Sequence, residues 1–203
     1  MWKDRTVHII PIILRVATTN GLQPVVTEQH VHQLLFIARQ RYAQVGVDLT
    51  WSDPEACDPP AGVNLLDGLT VRTNKNDRWL TTEAKAAIDG ISTIGGSTNI
   101  HFVYVNQVKI GNSTYPGSSV AKYWYEDASE VAYRDNFFIG VGYPELGTGY
   151  AIAHELGHIL TNDDHVPYPW RLMHDIIKMT GVTGSRRLGT AEEAAIRGES
   201  HVQ

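Results

Sequence analysis

The chain has 203 residues, with 22 acidic and 17 basic side chains, a formal net charge of −5 at pH 7 and one cysteine. That length supports one substantial core, or a main domain with a small lobe, and the acidic balance argues against a nucleic-acid binder, which would present a basic face. A lone Cys57 rules out an intrachain disulfide, and no apolar run approaches the ~20 residues of a membrane span.

The opening residues Met1 to Arg5 place positive charge before an apolar run, but no small-residue cleavage pattern follows, so no clear signal peptide is expected. Residues 7–17 are instead expected to form a strand of the mature fold. Isoleucine and valine lie on both of its alternating faces, which predicts a strand covered on both sides. Pro11 marks a bulge or an edge within it. Val31, Leu34, Leu35, Ala38, Tyr42 and Val45 recur at helical spacing, with Thr27 as N-cap and Gly46 as the stop. Val47, Leu49 and Trp51 alternate as a second strand.

Residues 52–76 are rich in Pro, Asp, Gly and Asn and are expected to be a long loop. A short helix is expected over 82–89, closed by Gly95 and Gly96. Residues 100–110, 118–125 and 136–142 read as third, fourth and fifth strands. A helix over 148–161 follows, with Thr148 as its N-cap, and a last helix over 190–197 carries Glu192 and Glu193 in its first turn. This order predicts an α+β fold: a twisted, mostly parallel five-stranded sheet with two long helices packed on it. No repeat, low-complexity tract or interdomain linker is present.

The chemistry concentrates in His154-Glu155-Leu156-Gly157-His158, followed by His165 and Met173. Two histidines four apart on a helix point the same way, so both imidazoles can reach one metal ion. The intervening Glu155 sits where a carboxylate can take a proton from water. Ile152, Leu156, Ile159 and Leu160 supply a buried stripe on the same helix. Gly157 costs about 1 kcal/mol relative to Ala in a helix interior, which a close neighbour such as the Met173 loop would explain. Asn162, directly after the helix, tolerates the left-handed conformation that would turn the chain sharply and bring His165 back to the metal. Of the other histidines, His30 and His32 read as surface residues, His101 as a packed strand residue, and His174 as structural or cleft-lining.

These residues resemble the metzincin clan of zinc metallopeptidases. His154, Glu155 and His158 match the clan motif position by position, and residues 169–173 look like its methionine turn, with Met173 as an apolar floor. The resemblance implies a single catalytic domain over 1–203, with an upper subdomain of about 1–161 and a lower one of about 162–203. It also implies a Zn2+ cofactor and endopeptidase activity by zinc-activated water, with Glu155 as general base. Thr161 replaces the clan glycine, and His165 falls one residue after the usual third ligand, a position that Asp164 holds. Both stay open. His165 is favoured because neutral imidazole binds zinc better than a monodentate carboxylate, with Asp164 the alternative. Asp175 stands where some members carry a ligand tyrosine.

By the same resemblance, the edge strand from Gly117 to Tyr125, including Val120 and Ala121, pairs with an extended protein or peptide substrate, and Tyr168 and Trp170 wall the pocket beyond the cut bond. A monomer, with no nucleic-acid partner and no membrane span, is expected, and the clan favours a secreted or exported protein. The competing expectations are an inactive zinc-binding module of the same fold, a zinc hydrolase of another class with Glu192 or Glu193 as ligand, and a deformylase-like site using Cys57.

Overall fold

The computed structural model describes residues 5–77, 79–92, 94, 100–120, 131–142 and 145–161. Their elements run β1 (Arg5–Thr18), β2 (Gly21–Pro24), α1 (Glu28–Tyr42), β3 (Val47–Trp51), β4 (Glu55–Cys57), β5 (Leu69–Arg72), α2 (Thr82–Ile91), β6 (Ile100–Val105), β7 (Val108–Ile110), β8 (Ser113–Tyr115), β9 (Gly117–Ser119), β10 (Asn136–Gly140) and α3 (Glu145–Thr161). The larger sheet has the order β2-β1-β6-β10-β9, with β3 and β4 also paired to β1. β3, β4 and β6 run parallel to β1, and β10 runs parallel to β6. The β2 and β9 pairings are antiparallel. A second, three-stranded sheet has the order β5-β7-β8.

The sheet is thus mixed, as expected, but has seven strands among the described residues rather than five, and a second sheet was not anticipated. Two causes account for this. The stretch expected to be one strand over 100–110 breaks at Asn106 and Gln107, where the Asn106 side chain accepts the Gln107 N–H at 2.9 Å. Such local side-chain bonds compete with a ladder. β6 then stays in the large sheet while β7 joins β5. The expected loop over 52–76 contains β4 and β5, segments of three and four residues. Their pairing with β1 and β7 overrides a composition that reads as turn.

Pro11 lies neither at a bulge nor on an edge: it pairs in register with Phe102 in the interior of the sheet. The other side of β1 explains why this costs no hydrogen bond. β3 ends opposite Ile9, and β4 begins opposite Ile12. The Ile9 carbonyl accepts from Ser52 at 3.2 Å, so residue 9, and by alternation residue 11, turn their polar groups to that side. The missing proline N–H faces the gap between the two short strands.

β1 is covered on both faces, as its apolar alternation predicted. Val7, Ile9 and Ile13 join one core with α1 and α3. Ile10, Ile12 and Leu14 join the other with α2 and the second sheet. α1 begins where Thr27 accepts the His30 N–H at 3.3 Å. The following 3-10 turn stops at Gly46, which has a left-handed φ of 72°. α3 starts at Glu145, so Thr148 lies inside the helix rather than capping it. No helix among the described residues is long and apolar enough to cross a membrane.

Candidate active site

α3 carries the motif over the face of β10 and β9, in the core it shares with α1. Its expected stripe of Ile152, Leu156, Ile159 and Leu160 packs into the core shared with α1. Tyr42 on α1 donates its hydroxyl proton to the Ala153 carbonyl at 2.7 Å, and Arg41 donates to the Tyr150 hydroxyl at 2.5 Å. Gly149 permits the close approach of the helices: a Cβ there would stand 2.9 Å from Ile37 Cβ. The motif turn is therefore held at several points along its length.

His154, Glu155 and His158 are 1%, 6% and 4% exposed. Three buried ionisable side chains in two turns are costly unless they serve one another or a ligand. The Nε2 atoms of the two histidines face each other at 3.1 Å, with the rings edge-on at 85°. At that separation both nitrogens cannot carry protons. Two imidazole ligands of a tetrahedral zinc, each at ~2.0–2.1 Å from the metal, stand about 3.3 Å apart. The donor chemistry and the spacing of the pair fit such an ion.

Glu155 turns toward β9, the last strand in the sheet order. Burial pushes its carboxyl up to about 7, against the lowering influence of hydrogen bonds from the Ser119 side chain and backbone and of the Arg72 charge. Gly117 faces the same carboxylate: a Cβ there would stand 2.8 Å from Glu155 Cγ and 3.0 Å from Oε1. Val120, expected to touch substrate, has a fully buried side chain in the second core. Its N–H and C=O bond to Asn136 and Asp135, on the side of β10.

His165, Asp164, Met173, Tyr168, Trp170, Ala121, His174, Asp175, Glu192 and Glu193 lie outside the described residues. Among the described residues no group of three or more His, Cys, Asp or Glu side chains gathers to hold a metal. Cys57 does not supply a further ligand. It lies on β4, separated from β9 by β1, β6 and β10, about 19 Å away at the usual strand spacing of ~4.8 Å. His101 is a packed histidine as expected, bonded through Nε2 to the Ile94 carbonyl at 2.8 Å. His32 is half-buried and accepts the Trp51 indole N–H at 2.8 Å. Sequence reasoning did not single out Ser119 or Arg72. The only signal for Ser119 was a run of small residues, Gly117-Ser118-Ser119, in the edge strand expected to pair with substrate.

The sequence matches no protein-family profile and no curated protein. The fold is similar to that of metalloproteinase-II from Bacteroides fragilis, with a TM-score of 0.55 at 9% identity over 96% of this chain and 52% of that one. The chain thus spans about half the length of that protein, at 52%. A zinc-dependent peptidase from Methanocorpusculum labreanum aligns over 93% of this chain and 98% of its own, at 9% identity and a TM-score of 0.49.

Proposed function

We propose that the protein is a zinc-dependent endopeptidase of the metzincin type, acting on protein or peptide substrates. The observation that carries this is the convergence of the His154 and His158 Nε2 atoms at 3.1 Å, next to a buried carboxylate. In the metal-free chain burial pushes the Glu155 carboxyl up to about 7, and a buried carboxyl beside a histidine pair is a group that can exchange a proton there.

His154 and His158 would hold the ion, with His165 as third ligand and Asp164 as its alternative. The methionine turn at Met173 would lie beneath them. When bound, zinc lowers the pKa of a coordinated water and polarises a scissile carbonyl. Glu155 takes the proton of the attacking water and returns it to the leaving amine. An extended substrate would pair along the outer edge of β9 on either side of the Ser119 amide that Glu155 holds, and Tyr168 and Trp170 would border the pocket beyond the cut bond. In this reading residues 1–203 act as one catalytic domain.

The test is digestion of a mixed peptide library by the zinc-loaded protein, with a chelator control and Glu155→Gln. Cleavage that a chelator abolishes, and that Glu155→Gln loses while retaining zinc, supports the proposal. Undiminished cleavage by Glu155→Gln would remove the general base, and absence of bound zinc would remove the enzyme class.

A further inference from the structure

β9 has two faces and two edges, and each is accounted for differently. Gly117 and Ser119 pair with Ile139 and Phe137, residues of the core beneath α3, so both face α3. Ser118 and Val120 turn to the opposite face, where Val120 and Phe138 enter the second core. Along the paired edge, the Pro116 carbonyl accepts from Gly140 at 3.0 Å, and Val120 donates to Asn136 at 2.8 Å. The alternation of an antiparallel ladder then sends the Ser119 N–H to the edge that no strand among the described residues pairs with. There Glu155 takes it, together with the Ser119 hydroxyl.

We propose that Ser119 is the positioning residue for Glu155: its amide and hydroxyl together hold the carboxylate beside the histidine pair, in a notch that the missing side chain of Gly117 leaves open. A glutamate arm has three rotatable bonds, and ordering it against water and thermal motion needs fixed partners. Two donors on one strand residue set both its reach and its direction, and charge-assisted bonds of this kind are stronger than neutral ones. The notch is tight: the Glu155 Cγ lies 2.8 Å from the position of a Gly117 Cβ, so the arm has little room on that side. The kinetic consequence rests on the peptidase proposal above, whereas the clamp itself does not.

Two measurements test it. The first is amide hydrogen exchange by NMR on the full chain. Ser119 should be protected in the wild type and should exchange at least ~10-fold faster in Glu155→Ala, because removing the acceptor frees the edge amide. Val120, bonded to Asn136, should keep its protection and so report that β9 is still paired. Unchanged Ser119 exchange in Glu155→Ala, with Val120 protected, overturns the clamp. The second is turnover of fluorescein-labelled casein. Ser119→Ala should lower kcat by about 10- to 100-fold, with KM and zinc content held within twofold, because a base displaced by about 1 Å loses its near-attack geometry. Ser119→Thr, which restores the hydroxyl, should recover most of kcat. Full kcat in Ser119→Ala, or no recovery in a folded, zinc-loaded Ser119→Thr, overturns the positioning role. If the zinc-loaded wild type hydrolyses neither casein nor any library peptide, the peptidase proposal fails, and the exchange experiment still decides the clamp.

Discussion

The Tyr42 hydroxyl donates to the carbonyl of Ala153 at 2.7 Å, and Ala153 immediately precedes the first motif histidine. Both residues are fully buried, so the bond joins α1 to α3 inside the core at the level of the site. Tyr42→Phe removes the donor with little change of shape. It should cost about 0.5–1.5 kcal/mol, read as a lower urea midpoint at constant m-value. Because the carbonyl is an acceptor that can lose one partner, the fold should persist and zinc should still bind.

Gly117→Ala tests the notch from the opposite side. The glycine has no positive φ, so alanine is acceptable to the backbone there. Its Cβ would nevertheless stand 2.8 Å from both Glu155 Cγ and Ile139 Cδ1. Both atoms belong to side chains, so the conflict is relieved by moving Glu155 and Ile139, not by unfolding the strand. The expected outcome is about a 10- to 100-fold loss of kcat, with an unchanged circular dichroism spectrum and full zinc content. Wild-type turnover would mean that the carboxylate has room the structure does not give it.

The parts of this architecture that were legible in the sequence are those with strong periodicity. The apolar stripe of α1 and its Thr27 cap are realised, as is the buried stripe of α3, whereas α1 itself ends at Tyr42 and Gly46 closes the 3-10 turn that follows it. The two-sided burial of β1 followed from its isoleucines. What could not be read depends on partners distant in the chain. β4 and β5 are too short to show a pattern and exist by pairing with β1 and β7. Pro11 is accommodated by a break between two other strands. In the candidate site, the facing of His154 and His158 followed from their spacing of four, whereas the contact of Glu155 with Ser119 follows from strand order. That contact requires β9 to be placed beside α3, which local sequence does not encode.

The pH dependence of stability in the metal-free protein should carry the signature of Glu155. Its folded pKa, about 7, lies above the ordinary value of 4.5, and the largest cause is burial. The folded state therefore holds this proton more tightly than the unfolded chain does. The associated stability is fully present below about pH 4.5, is lost as pH rises toward 7, and is flat above that. The loss amounts to about 3 kcal/mol. Glu155→Gln has no such proton to lose. Urea denaturation should show the variant more stable than wild type at pH 8 by about that amount, with the gap closing near pH 4.5. An equal pH slope in both proteins would refute the buried-carboxylate assignment.

The third ligand is the point at which local sequence offers two answers one residue apart. A turn after Thr161 that is one residue longer presents His165, and a shorter one presents Asp164. Zinc binding to the folded chain alone should raise stability by about 2.7 kcal/mol at a hundredfold excess over Kd, or about 5–10 °C in Tm for a domain of this size. His154→Ala and His158→Ala should each abolish that shift, since their Nε2 atoms already converge to 3.1 Å in the folded chain. If His165 completes the set, His165→Ala abolishes the shift and Asp164→Ala retains most of it. The reverse pattern assigns the position to Asp164. Because the readout is thermal and needs no substrate, the ligand set is decided independently of whether any peptide is cut.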